Sequence, residues 1–88
     1  MAVTRALNVI RITADNDTVA GNINICGIKF IAGTGSPSAA IKADDSSGMT
    51  VWETASTTAL YEEVEISVKQ GIHVDLAGTG SVLYLYVE

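Results

Sequence analysis

A chain of 88 residues with ten acidic and five basic side chains carries a net charge of −5, which argues against nucleic-acid binding because that needs a basic face. Hydrophobic residues make up 48% of the chain and charged residues only 17%, so there is more apolar surface than a small interior can hold. One cysteine, Cys26, and one histidine, His73, exclude an intrachain disulfide and a zinc site of the usual Cys/His kind.

This length makes a single domain, 1–88. A folded surface of roughly 5,000 Å² against roughly 13,000 Å² extended leaves a thin core. Such domains need staples, and with no disulfide or metal available the remaining staple is a partner chain. No apolar run reaches the length of a membrane span, so no membrane is expected as partner. The opening "MAVTRALNVIR" lacks the charged-then-apolar order of a typical signal peptide, so synthesis and folding in a cytoplasm are expected.

Along the chain, apolar and polar residues alternate over short stretches, and turn residues recur about every ten positions. The first predicted strand is 6–13, with a parity switch between Leu7/Val9 and Ile10/Ile12. A polar turn, "ADNDTVAG", follows at 14–21. The second strand, 22–32, switches parity at Cys26-Gly27, and an extra residue there would restore its apolar face, so a β-bulge or bend is predicted. A third strand covers 38–43 after Pro37, "DDSSG" at 44–48 is a turn, and a fourth strand covers 49–54. After the loop "ASTTA" comes a fifth strand, 61–69, with Val64, Ile66 and Val68 inward and Glu63, Glu65 and Lys69 outward. The sixth, 71–77, turns Ile72, Val74 and Leu76 inward, and the seventh is 81–88. No sustained helical spacing appears. The expected fold is all-β, an antiparallel β-sandwich or small jelly-roll-like barrel of about seven strands.

"AGTGS" occurs twice, at 32–36 and 77–81. A phosphate-cradling loop needs a helix after it and, in the Walker pattern, Gly-Lys-Ser or Gly-Lys-Thr. Strand-like sequence follows both copies, so each is read as a turn in which glycine supplies positive φ. The flanks "GIKFIAGTGS" and "GIHVDLAGTGS" differ by one inserted residue, as in a hairpin repeated with a bulge or in convergence on good turn chemistry.

Other candidates have plain readings. "DND" at 15–17 fails the EF-hand pattern, since Ala20 and Cys26 stand where its glycine and glutamate belong, and its residues suit a turn. His73, Asp75 and Ser81 suggest a triad, but nothing places the serine beside the other two, so His73 and Asp75 read as a solvent-facing or interface pair. Glu62, Glu63 and Glu65 read as a solvated strand face that discourages edge aggregation. Cys26 reads as a buried, unreactive thiol. No catalytic, cofactor or metal site is expected, and the chain is not read as an enzyme.

The seventh strand stands out. Val82, Tyr84 and Tyr86 lie on one face and Leu83, Leu85 and Val87 on the other, so both faces favour burial. Trp52 is expected on the face opposite Met49 and Val51, exposed by a monomer. Trp52, Tyr84 and Tyr86 are therefore the candidate subunit interface of a homo-oligomer. If they shared one exposed face they would equally suit a carbohydrate-binding module.

The opening "TRALNVIRITADND" and the closing "GIHVDLAGTGSVLYLYVE" resemble the small β-rich structural proteins of tailed bacteriophage virions. The likeness is one of texture over most of the chain: short, acidic, rich in Ala, Gly, Thr and Val, and ending in an apolar strand. It implies a virion component without catalysis or cofactor. That component would be a capsid decoration (cement) protein or a piece of the tail apparatus. Its partners would be itself, as a symmetric oligomer such as a trimer, and larger virion proteins such as the major capsid protein.

Overall fold

The computed structural model describes the backbone of residues 3–6, 8–45 and 47–88, and the side chains of 8–45 and 47–88. The described residues form nine strands and no helix: β1 (Val3–Ala6), β2 (Val9–Ile12), β3 (Asp17–Val19), β4 (Ile23–Ile31), β5 (Thr34–Ala43), β6 (Thr50–Thr54), β7 (Leu60–Val68), β8 (Ile72–Thr79) and β9 (Val82–Val87). All pairs are antiparallel. Sheet A has the order β1-β2-β9-β4-β7, and sheet B the order β3-β8-β5-β6.

The pairing is nested: β2 with β9, β3 with β8, β4 with β7 and β5 with β6. Such a chain is one long hairpin rolled up, with β4·β9 and β5·β8 closing the roll. Eight strands in two sheets with this nesting make a jelly roll, and β1 extends sheet A at its β2 edge.

Strand alternation builds the core. Ile10, Ile12, Ile28, Phe30, Ile41, Ile72, Val74, Leu83 and Leu85 are fully buried between the sheets. β8 and β9 place Ile72, Val74, Leu76 and Leu83, Leu85, Val87 inward as period two requires. The bulge expected in the second predicted strand is present. The registers of β4 with both β7 and β9 shift between Ile25 and Gly27; against β9 Cys26 is the extra residue, while against β7 the extra residue lies on β7, between Ile66 and Glu63.

Several expectations change. The predicted strand 6–13 is a hairpin, β1 and β2. Its parity switch marks the turn at Asn8, after which Ile10 and Ile12 face the core; Leu7 lies outside the described residues. The segment 14–21, expected as turn alone, contributes the short strand β3. Pro37 lies inside β5, at an irregularity between Thr34 and Ser38 where no ladder bond needs its missing N–H.

The AGTGS copies are turns of a particular kind. At the first the chain leaves sheet A for sheet B; at the second it returns from B to A. The two corners touch: Thr34 pairs with Thr79, and Gly33 N donates to Ser81 Oγ at 2.9 Å. A Cβ on Gly33 would run into the Thr79 carbonyl oxygen and come within 2.6 Å of Ser81 N. The first copy therefore needs glycine for space. Gly78, at φ 97°, needs it for conformation as well.

Candidate interaction surface

The two sheets differ in what they turn outward. On sheet B the outer face is polar or small. Asp75 and Glu53 flank Ala40 in one cross-strand row, and Thr18, His73 and Lys42 form the next. A shallow groove of about 390 Å³ lies over Ala40, between Glu53 and Asp75 and bounded by Ser38 and Ala55. No aromatic ring lines it among the described residues.

His73 is covered by the 14–16 turn and only 7% exposed, so of the two readings, solvent-facing or interface pair, the solvent-facing one is corrected. Its Nε2 lies 3.1 Å from Asp75 Oδ1 and 3.3 Å from Asn16 Oδ1, while Lys42 Nζ is 3.1 Å from Asp75 Oδ2. Asp15, of the "DND" turn, accepts from Leu76 N and Asn16 N, which ties the turn to β8. Ser81 stands at the corner end of the roll, occupied by Gly33 N, so the three candidate triad residues are not brought together.

The hydrogen bond from Lys42 holds the Asp75 carboxyl below its ordinary value; burial opposes this and His73 adds to the lowering. A carboxyl lowered in the folded state contributes stability that is present above its unfolded value, about pH 4, and is lost as pH falls through the folded one. Asp75 is 37% exposed, so solvent screening keeps this small. Asp75→Asn is expected to lower stability at pH 7 by less than about 1 kcal/mol and to flatten its decline below pH 4. Urea titrations at pH 7 and pH 3 check this; an equal loss at both would contradict it.

Sheet A turns outward a different surface. Pairing puts Arg11, Tyr84, Lys29 and Tyr61 in one row across β2, β9, β4 and β7. The adjacent row is Val9, Tyr86, Gly27 and Glu63, and beyond the first row Val82 pairs with Ile31. All three tyrosines of the chain therefore lie on this face. Tyr84 and Tyr86 are half-buried by their neighbours, while Tyr61 is 55% exposed.

The face is ordered by its own contacts. Arg11 Cζ lies 6.0 Å from the centroid of the Tyr84 ring, and Arg11 Nε donates to Tyr84 Oη at 3.3 Å. Tyr61 and Tyr86 meet edge to face, with centroids 5.9 Å apart and planes at 68°. Gly27 makes this possible, since a Cβ there would lie 2.6 Å from Tyr61 Oη. Sequence reasoning missed Tyr61, although its parity with Glu63 and Glu65 was the available signal.

Trp52 is placed elsewhere. Ile41 pairs with Trp52 and Lys42 with Thr50, so Val51 is an extra residue and the bulge turns Trp52 to the core side. Its ring packs against the core, and Nε1 donates to Glu62 Oε1 at 2.7 Å, closing the gap between edge strands β6 and β7. Register puts Glu62 on the same side as Ile28, its partner across the ladder, but at this edge strand it is exposed, as are Glu63 and Glu65. The expectation that Trp52 is laid bare by the monomer is thus corrected. Trp52 does not share a face with Tyr84 and Tyr86, as a carbohydrate-binding platform built from these rings would require.

Cys26 is also corrected. The bulge that makes it the extra residue turns it outward, where it is exposed and its thiol donates to the Tyr86 carbonyl at 3.3 Å. Thiol reagent is expected to label the folded monomer about as fast as a free cysteine. Slow labelling of folded monomer would contradict this placement.

No protein-family model, curated protein or solved structure matches the chain.

Proposed function

We propose that the protein is a non-enzymatic structural protein that works by docking, as a homo-oligomer, through the outer face of sheet A. The carrying observation is the set of three tyrosines with Val9, Ile31 and Val82 on a face that antiparallel sheets normally give to water. Burying about 200 Å² of apolar surface per chain is worth about 5 kcal/mol before ordering costs, comparable with the whole stability of a small domain.

Attachment to a larger protein shell, as a capsid decoration protein, is the setting that best suits this reading. Support comes from the texture shared with phage structural proteins and from the jelly roll, a fold used by viral capsid domains and also by lectins. Fold alone assigns no function. The tail apparatus is the second setting. Glycan binding is disfavoured by the separation of Trp52 from the tyrosines. The test is electron microscopy of particles from cells carrying the gene, labelled with antibody to this chain. Label over the capsid is expected. Label on tails moves the assignment there, and unlabelled particles with binding on a glycan array replace it.

A further inference from the structure

We propose that the outer face of sheet A seats a second copy of this chain, packed sheet on sheet about a two-fold axis running along the strands between β9 and β4. This rests on the reading of that face as an oligomer contact and adds its symmetry and the residues that set it.

Charge layout carries the argument. One flank of the face, β2, bears Arg11; the other flank, β7, bears Glu63 and Glu65; Lys29 stands between, on β4. Among the described residues the ion pairs are Lys42–Asp75 and His73–Asp75, so none of these four charges is ion-paired with another described residue of its own chain. Rotation about an axis along the strands exchanges the flanks. It lays β2 of one copy over β7 of the other, twice, with Arg11 facing the Tyr61–Glu65 stretch. It lays β4 over β9, so that Lys29 of each copy comes to the Tyr84 ring of the other. An axis across the strands would instead set β2 over β2 and β7 over β7, gathering like charges. Sheets stack with strand directions within about 30° of each other, which the first axis permits and which keeps the tyrosine rows at the centre. The contact is isologous and closes at two copies.

The area suits such a pair. The four strands that overlap about this axis, β2, β9, β4 and β7, about 4.8 Å apart with six residues at about 3.4 Å, span a plane of about 400 Å². Side-chain relief raises the accessible area towards the ~800 Å² that each partner gives to a standard interface.

Sedimentation equilibrium of charge-reversal variants tests the proposal. Arg11 and Glu63 are exposed, so Arg11→Glu and Glu63→Arg leave the core untouched, and circular dichroism melts confirm that each is folded. The wild-type chain is expected to be dimeric. Each variant alone is expected to dimerise at least a hundred-fold more weakly. Their equimolar mixture is expected to recover a dimer, because one contact is native and the other is its mirror in charge. Variants that associate like wild type, a mixture that fails to recover, or a wild-type trimer would overturn the two-fold pairing while leaving the oligomer reading in place. A wild-type monomer would overturn both.

Discussion

Gly33→Val is expected to unfold the protein or to leave it with a small fraction of its stability. The corner at Gly33 is pressed against the second AGTGS corner, where a Cβ would collide with the Thr79 carbonyl and with Ser81 N. Both are backbone atoms, one at the end of β8 and one in the corner between β8 and β9, so neither can turn aside as a flexible side chain would. Relief requires separating the corners, which breaks the Gly33 N to Ser81 Oγ bond and the Thr34–Thr79 pairing. Overpacking costs about 1–3 kcal/mol where a core can adjust, and the lost buried hydrogen bond adds about 1–3 kcal/mol. A total of about 4 kcal/mol approaches the stability of a domain this size. Gly35→Val, two residues on at the start of β5 but in open space, meets only the strain of φ 87° and should cost less. Thermal melts of the two variants check this; similar melting temperatures would show that the corner contact does not hold the roll.

Tyr84→Ser combined with Tyr86→Ser is expected to produce a folded monomer. Both rings lie on the outer side of β9, while Leu83, Leu85 and Val87 hold the core side and are untouched. The substitution also removes the Arg11 stacking and the edge-to-face contact with Tyr61. Buried tyrosines at the centre of an interface are commonly worth about 2 kcal/mol each. Losing two per chain removes four rings from the dimer, about 8 kcal/mol, which raises Kd roughly a million-fold. Size-exclusion chromatography beside far-UV circular dichroism separates this outcome from misfolding. A double variant that elutes with the wild-type chain would remove the tyrosines from the interface.

Much of the fold was legible because alternation is a local signal. The inward sets Val64, Ile66, Val68 and Ile72, Val74, Leu76 follow from period two alone, and the parity break at Cys26-Gly27 marks a real bulge. The same signal was ambiguous at Leu7 to Ile10, where a hairpin turn shifts parity just as a bulge does. β3 was hidden because three residues between turns show no periodicity. The repeated AGTGS announced turns. That they are sheet-to-sheet corners resting on each other depends on partners 45 positions apart in sequence, which no local pattern encodes.

The site was half legible. Tyr84 and Tyr86 were visible because β9 is apolar on both faces. Trp52 was misplaced because the bulge at Val51 leaves no trace in a strand of five residues. Cys26 was misplaced for a related reason: the bulge was foreseen, but the extra residue was assigned to the interior rather than turned out of it. Arg11, Lys29 and Tyr61 join the tyrosine face only through the strand order β2-β9-β4-β7, and that order is set by the roll.

Sedimentation equilibrium of the wild-type chain at micromolar concentration tests the central claim, that the tyrosine face of sheet A is covered by another copy. A mass of twice the 9.2 kDa monomer, falling to the monomer mass in the Tyr84→Ser, Tyr86→Ser variant, is the result predicted. A wild-type chain that stays monomeric, with the double variant equally stable, would contradict it.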